Sequence, residues 1–429
     1  MQKNVVIAVL VTVGYLALAA LSAQVAYSPE DAWTVWLASG VVLGLLFALP
    51  RERWPAILVG GFAGAMLFSL FLGTSVFVAL GYGVIEVVAA GVAVAITVRL
   101  VPLPLRLERG RDLAALIFTG AFPLALVGAF IAAMWHLVDS DGGGLRVFRL
   151  WFVSNLLGTL LVAPVFVAWS RFRVRRSGGM TMPTFLGGAI ACALFLLMTW
   201  LLFDAAPGTR FEGTRGQTLT YVPILFMALV ALLWGAQGAT LTAFLGAVIA
   251  MVNTAQSEGP FAAAHGLLVE SELEVQAYAL AIALTGLLIA ILAASQRRAA
   301  REALEWQTRF NAAIGAHRLL AYEWNPATNR LVVTGDSHEL VGVPAASLGT
   351  LADWLTHVVA DDRERVATRY DERVRGQGEA DRITYLVHAG SGTVAATDEA
   401  RAIRDHDGAL HRVVGFVRIS PVTAVAAAA

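Results

Sequence analysis

The chain has one cysteine, Cys192, in 429 residues. That excludes an intramolecular disulfide and any metal cluster built on several thiolates. It has one lysine, Lys3; every other base is arginine, a compositional bias and not a functional signal. Charge is scarce, with 14% Asp, Glu, Lys and Arg against roughly 25% in ordinary soluble proteins. Formal net charge is zero, so no global field points to nucleic acid. Catalytic signatures are also missing. The sequence holds no P-loop, no Gly-x-Ser-x-Gly elbow, no GGDEF or EAL run and no ATP-binding kinase block.

What the chain does have is apolar sequence, 58% of its residues. A helix needs about 20 apolar residues to cross a bilayer. Ten segments are candidates: 4–26, 33–49, 54–72, 76–100, 113–138, 147–170, 183–203, 220–234, 239–253 and 274–295. The second, eighth and ninth are short. Only Gly235-Ala236-Gln237-Gly238 separates the eighth from the ninth, which fits one kinked helix or a re-entrant pair. The reading is therefore a polytopic all-α membrane bundle of eight to ten helices. The first segment is too long for a secretory signal and reads as a retained helix.

Arginine orients the bundle. Arg51 and Arg53, then Arg99, Arg106, Arg109 and Arg111, then Arg171, Arg173, Arg175 and Arg176 fall in alternate connectors. Arg297, Arg298 and Arg301 follow the last segment. The other connectors carry mainly acids, with Arg146, Arg149, Arg210 and Arg215 as exceptions. The positive-inside rule puts the arginine side in the cytoplasm. With ten segments both ends of the bundle lie there; merging the eighth and ninth changes the side of the N-terminus.

Residues 297–318 read as a helical signalling linker between the membrane part, 1–296, and a soluble domain, 319–420. Ala299, Ala303, Trp306, Phe310 and Ala313 follow a 4-3-4-3 spacing. That spacing suits a short coiled-coil seam or an amphipathic helix packed on its own domain. Beyond it the periodicity changes. Strands are expected at 320–324 and 330–334, helices near 336–341, 349–357 and 361–376, and strands near 382–388, 393–404 and 410–419. Asn325 to Asn329, Gly390 to Gly392 and Asp405 to Gly408 supply turn chemistry. The sum is an α+β domain with a five-stranded antiparallel sheet, and an Ala-rich tail, 421–429, expected to be disordered.

That order of elements resembles a PAS domain. Tyr322-Glu323-Trp324-Asn325-Pro326-Ala327-Thr328 is similar to the YEWDPxT opening of a PAS subtype found in bacterial sensor kinases. Asp361-Asp362-Arg363 resembles its HPDDR element, with Val359-Ala360 in place of His-Pro. Asp405 to Gly408, followed by Val413-Val414-Gly415, resembles its closing hairpin. The membrane part resembles the membrane-associated sensor family (MASE, first type). Trp36 to Val41, Arg53-Trp54-Pro55, Trp151 to Pro164, Gly259-Pro260-Phe261 and Leu284 to Leu287 carry that likeness. Asn155 stands where that family usually has Asp. The resemblances imply a bacterial inner-membrane sensor in two-component or cyclic di-GMP signalling. Its implied partners are the lipid bilayer, a second copy in a homodimer, and a cytoplasmic histidine kinase or cyclase, either as a separate protein or as the rest of a longer chain.

Individual residues sharpen the functional reading. Glu86 is the one acid deep inside a segment, where an ionisable side chain costs on the order of 2.5–3.5 kcal/mol on insertion scales. Asn155 is its candidate polar partner. His136, beside Asp139 and Asp141, reads as a solvated loop residue with pH or metal sensing as the sharper alternative. Trp33, Trp36 and Trp54 suit the interfacial aromatic belt better than a ligand cage. Gly60 and Gly64 form a small-residue packing step. His357 and His388 are haem-ligand candidates by residue type alone. His338, in a Ser-His-Glu-Leu run, lacks the rest of a phospho-acceptor box. The expectation is a sensor without its own catalytic output. A small-molecule transporter with a regulatory PAS domain is the rival, and a membrane enzyme the second.

Topology is testable. With Cys192 replaced, a single cysteine at 141 or 258 should be labelled from outside intact cells, and one at 109 or 175 should not. The reverse pattern would overturn the orientation.

Overall fold

The computed structural model describes residues 2–25, 33–139, 144–170, 181–204, 219–261, 268–375, 382–390, 392–406 and 410–421. Two compact units divide the chain, Met1–Arg298 and Ala299–Ala429.

The first unit is helical. Its elements are α1 (Gln2–Gln24), α2 (Ala38–Ala48), α3 (Trp54–Phe71), α4 (Val76–Leu100) and α5 (Gly110–Ala114). A π-helical stretch, Ala115–Ala121, joins α5 to α6 (Phe122–Asp139). Then come α7 (Gly144–Trp169), α8 (Met182–Phe203), α9 (Val222–Ala255) and α10 (Leu268–Ala316). Local chemistry sets several starts. Ser75 caps α4 by accepting from Val78 N at 3.3 Å. Proline occupies the first turn of α3, α8 and α9, where its missing N–H costs nothing. Large apolar side chains such as Phe71, Phe77 and Phe118 remain exposed, as expected of helices that face lipid.

Among the described residues, eight helices are long and apolar enough to cross a membrane when α9 is counted as one. Two features separate that number from the ten apolar segments. The second segment is helical only over α2; residues 33–37 before it carry no helix. The eighth and ninth share α9, which turns at Gly235, with φ 67° and ψ −152°. Met227 on one arm and Ala239 on the other both pack against Gly286 of α10. The arms therefore fold back on each other as a helical pair. Glycine alone adopts that backbone geometry without strain.

The non-helical residues 33–37 are held by three helices. Trp36 N donates to the Ser154 carbonyl of α7 at 3.0 Å. Leu37 N donates to Ser22 Oγ of α1 at 3.0 Å. Gln276 Nε2 of α10 donates to the Thr34 carbonyl at 2.8 Å. Gly158 makes the approach of α7 possible, because a Cβ there would stand 1.9 Å from the Trp36 carbonyl oxygen.

The second unit carries β1 (Leu319–Asn325), β2 (Arg330–Thr334), α11 (Ser337–Val341), α12 (Leu351–His357), α13 (Ala360–Arg375), β3 (Arg382–Ala389), β4 (Gly392–Arg404) and β5 (Leu410–Pro421). The strands form one antiparallel sheet in the order β2-β1-β5-β4-β3. Asn325 Oδ1 closes the first turn by accepting from Ala327 N and Thr328 N at 3.0 and 3.2 Å. Thr350 and Asp353 form a capping box on α12. Ile383, Tyr385 and Val387 point into the core. Gly408 and the tail 422–429 lie outside the described residues.

The seam residues Ala299, Ala303, Trp306 and Ala313 of α10 are exposed, with Trp306 at 70%. Phe310 is half covered, its ring 6.2 Å from that of Phe416 on β5. The seam is therefore mostly uncovered within its own unit. A fragment spanning 302–420 should fold alone with one cooperative transition. A fragment starting at 296 should dimerise more than one starting at 318. Identical sedimentation of the two would count against a dimeric seam.

Candidate functional site

Four polar side chains meet inside the first unit. α4 brings Glu86, 7% exposed, and α7 brings Asn155, 6% exposed. α2 begins directly after the non-helical residues, so Ser39 lies in its first turn. Amide groups there lack intrahelical partners and carry the positive end of the helix dipole. Ser39 Oγ is 2.7 Å from Glu86 Oε2 and 3.1 Å from Asn155 Oδ1. Tyr15 of α1 donates its hydroxyl to Glu86 Oε2 at 3.2 Å. Asn155 Nδ2 donates to the Trp151 carbonyl at 2.9 Å. Glu86 Oε1 is buried and has no hydrogen-bond partner among the described residues.

Glu86 and Asn155 were legible as lone polar residues in apolar segments. They meet through Ser39, which the sequence reading did not single out, and Tyr15 was missed with it. The available signal was the same for all four: a hydrogen-bonding side chain isolated in an apolar run. Gly60 and Gly64 serve packing, since they let α3 close on α1, and Gly64 lies directly against Tyr15.

The tryptophans cover this cluster. Trp36 packs on Tyr15 at 6.3 Å, on Phe68 at 5.6 Å and on Trp33 at 5.8 Å between ring centroids. Trp33 and Trp36 are thus half-buried packing residues, not a belt alone. Trp54 instead closes the end of α2, donating Nε1 to the Leu46 and Leu49 carbonyls at 3.1 and 3.3 Å. His136 is half-buried near the end of α6; the Asp139 side chain and Asp141 lie outside the described residues. Among the described residues no group of three His, Cys, Asp or Glu side chains gathers to hold a metal.

The second unit has its own buried cluster. Tyr322 and Tyr370 donate to the two Asp398 oxygens, each at 2.9 Å. Arg373 Nη1 reaches Asp398 Oδ2 at 3.1 Å and Tyr322 at 3.3 Å. Trp354 Nε1 donates to Tyr385 at 3.0 Å. Burial pushes the Asp398 carboxyl above its usual range, and the Arg373 guanidinium and the two hydroxyls pull it back. Burial also holds the three phenols well above their usual value, so they remain donors. Tyr322 and Trp324 are both buried.

These aromatic residues fill the interior. The cavity bounded by Leu320, Tyr322, Leu331, Val333, Trp354, Tyr370 and Val417 measures ≈ 10 Å³, space for at most one water. His388 is exposed, His357 is half-buried, and neither lines the cavity. Asp362 ties α13 to β3 by accepting from Leu386 N at 2.8 Å, and it pairs with Arg365 at 2.6 Å. Burial would raise its carboxyl, but the Arg365 and Leu386 donors outweigh that and hold it below its usual range. Asp361 is exposed.

Residues 5–298 match the family model MASE1, and residues 330–417 match the PAS fold model. Neither is a catalytic domain. No curated protein matches the chain. Two solved structures are similar to part of the chain. One is the N-terminal domain of a diguanylate cyclase with PAS/PAC sensor from Marinobacter aquaeolei, 21% identical, covering 24% of this chain and 94% of that one, with a TM-score of 0.22. The other is a sensory box histidine kinase/response regulator from Burkholderia thailandensis, 18% identical, covering 27% and 88%, with a TM-score of 0.24.

Removing one partner from a buried ion pair costs about 3–5 kcal/mol. Asp398→Ala should therefore destabilise the 302–420 fragment by about that much in urea unfolding. Asp398→Leu combined with Arg373→Met should recover only part of the loss, because the Tyr322 and Tyr370 hydroxyls still lose their acceptor.

Proposed function

Since the chain belongs to the MASE1 family and carries a PAS fold behind it, we propose that it is an integral membrane sensor that responds at the buried Glu86 cluster and signals through its PAS domain. The carrying observation is the cluster itself: a carboxyl with one oxygen unpartnered among the described residues, held where α1, α2, α4 and α7 meet. A buried ionisable group inside a membrane bundle is a functional site by default. The cavity bounded by Tyr322, Trp354 and Tyr370 in the second unit measures ≈ 10 Å³ among the described residues, which supports placing the stimulus in the membrane part.

The route outward is α10. Gln276 grips Thr34 in the non-helical residues that precede Ser39, and the helix runs from Leu268 to Ala316, past the boundary between the two units. A change at the cluster shifts the balance between two packings of the bundle, and α10 carries that shift. The arginine pattern supports a cytoplasmic PAS domain and an inner-membrane location. The exposed seam at Trp306 supports a homodimer. The output partner is a histidine kinase of a two-component system or a cyclase of cyclic di-GMP signalling, acting within the same polypeptide or as a separate protein.

The broken second segment and the folded α9 also suit a transporter, where discontinuous helices line midplane sites. Substrate flux in vesicles would favour that reading.

Glu86→Gln keeps the shape of the side chain and removes its titratable proton. In the full chain joined to a kinase reporter, it should leave expression and topology intact and change signalling about fivefold or more, the lower end of ordinary allosteric coupling. Wild-type signalling from both Glu86→Gln and Glu86→Leu would reduce Glu86 to a tolerated polar residue.

A further inference from the structure

Ser39 Oγ stands within hydrogen-bond distance of two acceptors, Glu86 Oε2 at 2.7 Å and Asn155 Oδ1 at 3.1 Å. A hydroxyl has one proton and cannot donate to both. Turning the Asn155 amide over does not remove the conflict. Its Nδ2 donates to the Trp151 carbonyl at 2.9 Å, and the flipped amide would set two oxygens against each other. Tyr15 already directs its proton to Glu86 Oε2. Glu86 Oε1 is buried with no donor near it among the described residues. With Glu86 ionised, then, either Asn155 Oδ1 or Glu86 Oε2 goes without the Ser39 proton, and a full charge rests on a carboxylate with one bare oxygen. An unmet buried acceptor is unfavourable, and more so when charged.

One added proton removes the charge and lets both Ser39 and Asn155 be satisfied. On Oε2 it is donated to Ser39 Oγ, and the Ser39 proton then goes to Asn155 Oδ1. Tyr15 continues to donate to Oε2, and Oε1 becomes a neutral carbonyl oxygen. We infer that Glu86, Ser39 and Asn155 form a proton-binding site whose bound proton joins α4, α2 and α7 in one hydrogen-bonded chain. The inference rests on the reading of this cluster as the responsive site and names its ligand. Loss of the proton turns the Ser39 hydroxyl to Glu86 and breaks its bond to α7.

Tyr15 from α1 is the one titratable side chain in hydrogen-bond contact with Glu86 among the described residues. α2, α3 and the π-helical stretch contribute none. α4 itself adds Tyr82, stacked on Trp151, and Arg99 in its last turn. Asp112 of α5 accepts from Glu108 N, and the neighbouring helices α6 and α7 carry His136, Arg146 and Arg149.

The test is infrared spectroscopy of the full chain in lipid nanodiscs as pH is varied. Wild type should show the carbonyl stretch of a protonated carboxyl at neutral pH, lost in Glu86→Gln and lost as pH is raised. Asn155→Leu removes the terminal acceptor. It should lower the ratio of neutral to ionised Glu86 about five- to tenfold at a given pH, the effect of one hydrogen bond. Absence of a Glu86-dependent band at every pH where the protein stays folded overturns the proposal. So does a band whose titration Asn155→Leu leaves unchanged. Should Asn155→Leu fail to fold, Asn155→Ser, which shortens the side chain and withdraws the acceptor, serves in its place. A Glu86-dependent band that responds to Asn155→Leu, together with wild-type signalling from Glu86→Gln, keeps the proton site and discards its sensory role.

Discussion

Inside hydrocarbon a backbone N–H or C=O has no water to turn to, so every departure from a helix must be answered by another part of the protein. The first unit breaks its second segment at residues 33–37 and meets that demand from three directions. α7 accepts from Trp36, α1 accepts from Leu37 and α10 donates to Thr34. The break is what sets the first turn of α2 beside Glu86. Had the helix continued upward, Ser39 would lie in mid-helix with its amide already bonded. The same contacts make the site and the outgoing helix neighbours, because Gln276 belongs to α10 and reaches the residues just before Ser39.

The two units treat their buried charge differently. In the second unit Asp398 is met by Arg373, Tyr322 and Tyr370, and aromatic rings fill the surrounding volume. Such a cluster fixes one packing. In the first unit Glu86 keeps one oxygen without a partner among the described residues, and Ser39 divides a single proton between two acceptors. An arrangement with two near-equivalent hydrogen-bond patterns is the raw material of a switch.

Much of the second unit was legible in the sequence. The change from helical period to alternation, and turn residues at Asn325 and Gly390, mark its strands to within a few residues. The Asp398–Arg373 pair was not legible, because it joins positions 25 residues apart on a strand and a helix, and both sit among other charged residues. In the first unit Glu86 and Asn155 stood out by polarity alone. Ser39 did not, since a serine beside glycine in an apolar run is compatible with any helix. Trp36 suggested a membrane interface because aromatic residues near segment ends look alike whether they face lipid or a neighbouring helix. The count of crossings turned on Gly235. A connector without charge gives the positive-inside rule nothing to weigh, and only backbone geometry separates a kink from a reversal.

The fold at Gly235 leaves the first arm of α9 with 13 helical residues, Val222 through Trp234. At 1.5 Å per residue that arm is about 20 Å long, while the hydrocarbon of an ordinary bilayer is about 30 Å thick. The second arm, residues 236–255, is about 30 Å long and matches that thickness. A short arm is accommodated by thinning of the lipid beside it or by polar groups that dip inward, at a cost of fractions of a kcal/mol for each ångström of mismatch. Bilayer thickness, which varies with acyl-chain length, therefore bears on the first arm of α9 more than on its second arm.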